Sequence, residues 1–177
     1  MIDDMPETLT QSYLERNLGC LGPANRDFAE AVRRAPAAAV QCEEAADGAA
    51  TGMLEGRRLA SRHRPLEEGE RLAQSVDIVE HAVVVVLGFG IGHHVAALAR
   101  RMDRSGVLVV FEPDLSLIRA VFERMDFSEW LSGAIIVWMH DASDRAAIAR
   151  KLSGADAIVA QGVAILEHPA HRARLGK

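Results

Sequence analysis

The sequence predicts an α/β chain: a three-layer, Rossmann-like domain with a mostly parallel sheet of about four strands, preceded by an α-helical hairpin and a small β-ribbon. Three observations predict it. The run AVVVVLGFG carries valines with no polar alternation, as a parallel strand covered on both faces does. Glycines at 88, 90 and 92 follow that run and open a helical pattern. Two more apolar runs, VLVVF and AIIVWM, recur after helix-length intervals, the spacing of βαβ units with right-handed crossovers.

Taken in order, residues 7–35 place Leu9, Tyr13, Leu14, Leu18, Phe28, Ala31 and Val32 at helical spacing, in two runs separated by 19–25. Asn25 and Asp27 are candidate caps of the second helix, and Pro36 ends it because proline disfavours helix just before itself. Short apolar stretches at 39–41 and 51–54 alternate with Asp47-Gly48 and Glu55-Gly56, pairs that suit the tight turns of an antiparallel ribbon. Pro65 opens a helix over 65–79, with Glu67, Glu68 and Glu70 near its positive end. Helices over 92–102 and 115–125 flank the second strand, and Pro113 marks that strand's end. The third strand spans 134–139, a helix begins near Ser143 or Asp144, and ADAIVAQ at 155–161 supplies a fourth strand. His168 and Pro169 begin another helix, which breaks off at Lys177 as a chain truncated before a further domain would. The expected division is 1–60 for hairpin and ribbon and 61–177 for the Rossmann-like part.

At 177 residues the chain is long enough to bury about two thirds of its unfolded surface. Its apolar and charged fractions, 49% and 25%, are those of a globular protein, and no apolar run nears the ~20 residues that span a bilayer. The acidic, polar start lacks the basic-then-apolar order of a secretory signal, so a cytoplasmic protein is expected. A net charge of -5 offers nucleic acid no clustered cation surface. Cys20 and Cys42 are too far apart in sequence for a CxxC pair; a disulfide between them is one reading, and two buried thiols are the preferred one.

The residues with chemistry gather at the carboxyl ends of the strands, where open parallel sheets bind ligands. Gly88, Gly90 and Gly92 precede a helix whose first amides and dipole favour an anionic ligand. Glu112 follows Gly92 by twenty residues, the place of an acid that accepts from a ribose diol. A nucleotide is therefore one candidate ligand, although His93 stands where the third glycine of a dinucleotide fingerprint belongs. S-adenosylmethionine is another: Asp141 and Ala142 mimic residues that flank an adenine. Val86, however, occupies the position of the acid expected two residues before the first glycine. The alternative is that the glycines serve a tight turn and close helix packing, with Glu112 and Asp114 capping the next helix. His93 and His94 could donate to a phosphate, or His94 act as a base, but neighbours on a helix point about 100° apart and cannot face one ligand equally. The same divergence disfavours a metal. His63 reads as a solvated basic turn, Trp130 and Trp138 as core.

The phrases SRHRPLEEGERLAQSVD, VVVVLGFGIGHHVAALAR and above all VVFEPDLSLIRAVFERMDFSEWL resemble the amino-terminal region of motility accessory factor (Maf) glycosyltransferases, over about residues 8–177. The resemblance implies an accessory Rossmann-like domain. Family members are linked to transfer of nonulosonic, sialic-like sugars from CMP-activated donors onto serine or threonine of flagellin. It further implies a glycosyltransferase domain downstream in the same protein, flagellin as the acceptor of the full-length enzyme, and no catalytic residue within this chain.

Overall fold

The computed structural model describes residues 12–151, 153 and 162–175. Two short helices, α1 (Tyr13–Cys20) and α2 (Arg26–Arg34), are joined through a single 3-10 turn at Pro23–Asn25. Ser12 caps α1 by accepting from the Glu15 amide, and α2 stops before Pro36 with Ala35 already extended. The ribbon is β1 (Gln41–Glu44), β2 (Ala50–Leu54) and β3 (Arg57–Arg58), antiparallel in sequence order. The β2–β3 turn uses Glu55 and Gly56, both at positive φ, as a two-residue hairpin of right-twisted strands demands.

The second part runs α3 (Pro65–Gln74), β4 (Val83–Leu87), α4 (His93–Met102), β5 (Val107–Phe111), α5 (Leu115–Arg124), α6 (Ser128–Gly133), β6 (Ile136–Met139), α7 (Arg145–Lys151), β7 (Val163–Glu167) and α8 (Pro169–Leu175). Its four strands are all parallel in the order β6-β5-β4-β7. The chain steps outward from β4 to β6 and then returns to the opposite side of β4, so a topological switch point lies between the carboxyl ends of β4 and β7.

This is the α/β, Rossmann-like architecture expected from the valine run and glycine turn. Several boundaries differ. The expected strand at 155–161 lies outside the described residues, and the fourth strand of the sheet is Val163–Glu167, a stretch with no assignment from sequence. Helix α3 ends at Gln74, five residues early, and α6 is an additional helix. Cys42 is exposed on the ribbon's edge strand and Cys20 only half-buried, so the expectation of two buried thiols fails; both are free.

Alternation along the strands separates two faces. Val84, Val86, Leu108, Val110, Ile136, Trp138 and Leu166 join one core with residues of α1, α2, α4 and α5. At its centre Phe89, Phe122, Phe127 and Trp138 meet at ring-centroid distances of 5.4–5.9 Å. The opposite face is a smaller cluster of Val83, Val107, Val109 and Val137, and it opens toward β7, where Val163 and Ile165 are exposed.

Two buried asparagines bind the helical opening to this core. Asn17 donates to the carbonyls of Phe122 and Met125 and accepts from the Phe127 amide. Asn25 donates to Leu21 and Ile136 carbonyls and accepts from the Trp138 amide, completing the free edge of β6. Asn25 does occupy the position before α2, but its side chain makes no cap there, because it is turned onto the strand.

Candidate functional site

The glycine turn leaves β4 as an extension of the sheet. The Gly88 amide donates to the Phe111 carbonyl, and the Gly92 amide closes the turn onto the Phe89 carbonyl. The backbone needs glycine at Gly88 and Gly90, with φ of 93° and 55°. Between the glycines, Phe89 and Ile91 turn inward and are fully buried. The two residues that carry no signature anchor the loop in the core, and the glycines take the surface on the crevice side.

That surface is covered by the chain itself. A Cβ on Gly88 would overlap the Cβ of His171, and one on Gly90 would lie 2.8 Å from the Leu59 carbonyl oxygen and 3.0 Å from His168 Cε1. Helix α8 and the end of the ribbon therefore rest on the turn at van der Waals distance. The first residues of α4, where a phosphate would sit, are capped in the same way: Gly69 of α3 has room for no side chain, a Cβ there being 2.8–2.9 Å from His93 and the His94 amide nitrogen. A void of about 10 Å³ remains among Leu59, Glu68, Gly92, His93, His94 and His168, scarcely room for one water.

Glu112 is 1% exposed and turned into the protein. One carboxylate oxygen accepts from the Phe89 amide at 2.9 Å and the other from the Asp114 amide at 3.1 Å, so it ties the glycine turn to the start of α5. Asp114 caps α5 by accepting from the Leu117 amide. Asp141 stands two strands away in solvent, accepting from the Ser143 amide and hydroxyl. Those bonds hold its carboxyl below the usual aspartate range. Gly88, Gly90, Gly92 and Glu112 are thus brought together, and Asp141 is not part of their cluster.

Both histidines after the turn face their own backbone. His93 donates from Nε2 to the Ala50 carbonyl at 2.7 Å, and His94, 2% exposed, donates from Nε2 to the Gly88 carbonyl at 3.0 Å. His94 stacks on His168, with ring centroids 4.3 Å apart and planes 25° from parallel. Burial, and then the His168 neighbour, hold His94 well below the ordinary imidazole range; burial, followed by His171 and His93, lowers His168 to about 4. Neutral His168 presents Nδ1 as an acceptor to the Ala170 amide and so caps α8. Four of the seven histidines converge here, on elements far apart in sequence. Sequence reasoning recognised His168 as a helix start, but not its partnership with His94. No group of three or more His, Cys, Asp or Glu among the described residues has a metal-binding arrangement.

A parallel sheet in the order β6-β5-β4-β7, a glycine turn at its switch point and an acid after β5 define a Rossmann-like domain, here with the crevice packed by its own chain. Among solved structures, the fold is similar to that of the Maf glycosyltransferase from Magnetospirillum magneticum AMB-1. The TM-score is 0.59 at 13% identity, over 93% of this chain and 34% of the other. The likeness at this identity is one of fold, and the chain spans about a third of the Maf protein's length. The resemblance seen in the sequence is met by this fold. A second solved structure, MnmC2 from Aquifex aeolicus, matches at 15% identity over 75% of this chain and 56% of the other, with a TM-score of 0.37, too low to carry an argument. No protein-family model matches the sequence, and neither does any curated protein. No helix among the described residues is long and apolar enough to cross a membrane.

Proposed function

We propose that the chain is the amino-terminal accessory domain of a motility-associated glycosyltransferase, a cytoplasmic enzyme that transfers a nonulosonic sugar from a CMP-activated donor to serine or threonine of flagellin. The domain supplies a folded platform beside a catalytic domain of the same protein and holds no catalytic residue of its own. One observation carries the accessory role: the crevice that a nucleotide would enter is occupied by His168, His171 and Leu59 of the same chain. The acid that would hold a ribose already holds the Phe89 and Asp114 amides. The family phrase after β5 and the fold likeness support the glycosyltransferase assignment.

The competing class is a small enzyme using a nucleotide or S-adenosylmethionine at Gly88, Gly90, Gly92, Glu112 and Asp141, and it requires that crevice to open. Two measurements separate the readings. Calorimetric titration of the chain with S-adenosylmethionine and with CMP is expected to give no binding heat; micromolar binding abolished by Glu112→Ala would overturn the accessory reading. Deleting the coding segment for this domain in the producing organism is expected to remove the sugar increment from the intact mass of flagellin. An unchanged flagellin mass would sink the glycosyltransferase assignment.

A further inference from the structure

The carboxyl-terminal helix is attached to the rest of the molecule through a small set of unusual contacts. β7 is bound to β4 by a five-residue parallel ladder, which the His168 amide extends to the Leu87 carbonyl. Beyond that bond, α8 sits on the glycine turn through His168 and His171. Two features of this seat depend on uncharged imidazole. The stacked rings of His94 and His168, 4.3 Å apart and out of water, disfavour protonation: a first proton buries a charge, and a second would repel it. The Nδ1 lone pair of His168 is the cap of α8, and a proton on that nitrogen turns the acceptor into a donor pointed at the Ala170 amide. A third feature leaves the seat weakly held: His171 Nδ1 is buried with no hydrogen-bond partner among the described residues.

We propose that α8 is an acid-released latch on the glycine turn: protonation of the His94–His168 pair frees the helix while β4, β5 and the rest of the sheet stay folded. The inference concerns the crevice itself and holds whichever protein carries the domain. The charged and titratable surroundings favour release over compensation. His171 on α8 and His93 on α4 act on the pair, and the Arg172–Glu167 ion pair joins α8 to β7. β3, packed beside α8, brings Arg57 and Arg58, the latter paired with Glu43. The acids around the cluster are engaged elsewhere: Asp47 accepts from the Ala49 amide, Glu68 of α3 from the Ser61 amide, and Glu112 after β5 from Phe89 and Asp114.

The sign follows from linkage. Both histidines titrate lower when seated than the ordinary 6.5, so the released form binds more protons, and the latch is fully closed above pH 6.5 and loosens as pH falls toward 4. His168 alone, at about 4 when seated, shifts the balance toward release by about 20-fold between pH 7 and pH 5. The test is amide hydrogen exchange followed by NMR at pH 7 and pH 5, with intrinsic rates corrected. Protection within α8 is expected to fall at least about 20-fold while protection in β4 and β5 is unchanged. Equal loss in helix and sheet, or retained protection in α8, overturns the latch. His168→Asn keeps an oxygen cap and removes the His168 titration, so the pH dependence of its α8 protection is expected to shrink by about 20-fold, leaving only the His94 share. If that variant does not fold, the His168 ring resonances of the unaltered chain decide: a midpoint near 4 that coincides with loss of α8 protection supports the latch, and a midpoint near 6.5 with α8 protected refutes it.

Discussion

The carboxyl ends of β4 and β6 lie on the same edge of one sheet, yet they treat their polar residues in opposite ways. At the end of β4, Gly88, Gly90, His94 and Glu112 are packed beneath α3, α8 and the ribbon, and their hydrogen bonds run to the protein's own backbone. At the end of β6, Asp141 remains in water and bonds the residues that follow it, Ser143 and the Asp144 backbone. A glycine turn followed by an acid is therefore not in itself a ligand site. The same residues can close a loop onto a core when the crevice above them is filled, and what fills it comes from distant parts of the chain.

Substitutions at the two ends would sharpen this contrast, with the largest effect at the turn. Gly88→Ala sets a Cβ against His171 and holds alanine at a φ of 93°. Steric overlap and left-handed strain together should cost about 3 kcal/mol, read from the urea unfolding midpoint. An unchanged midpoint would mean that α8 does not rest on the turn. Glu112→Ala comes next: it strips two amides of their buried acceptor and should cost about 2 kcal/mol, whereas Glu112→Gln keeps one acceptor oxygen and should cost less. Equal stability of Glu112→Ala and the parent chain would return Glu112 to the role of a ligand-facing acid.

The smallest effect belongs to β6. Asp141 titrates below its ordinary value because the Ser143 hydroxyl, and then the Ser143 amide, bond its carboxylate. Its contribution is complete above that ordinary value and disappears as pH falls through the lowered one. Asp141→Asn should lower the neutral-pH unfolding midpoint only slightly, since the carboxylate is in water and the amide oxygen still accepts from Ser143, and the carboxyl carbon shift of Asp141 should move at a lower pH than that of a free aspartate. A large loss of stability at neutral pH would show that the two ends of the sheet are more alike than their exposure suggests.

Much of the fold is legible in the sequence. Valine runs with apolar side chains on both faces can be sheltered only in a covered parallel sheet, and the Glu55-Gly56 and Asp47-Gly48 pairs mark turns by their backbone freedom. Asp114 as the cap of α5 and Pro65 as the opening of α3 were likewise local facts. The strand at Val163–Glu167 was less visible, because a short alternating segment next to another apolar run does not declare which of them pairs with β4. Asn17 and Asn25 were hidden for a different reason: apart from the Leu21 carbonyl, the carbonyls and amides that they satisfy lie more than a hundred residues away.

The sequence by itself determined that a strand, a glycine turn, a helix and a second strand with a terminal acid would form, since hydrophobic period, glycine backbone freedom and helix caps act within a few residues. Only the tertiary structure decided what that turn faces. His168 and His171 meet Gly90 and Gly88 because the chain crosses from β6 back to the far side of β4, and no local rule records which segment a crossover returns to the crevice.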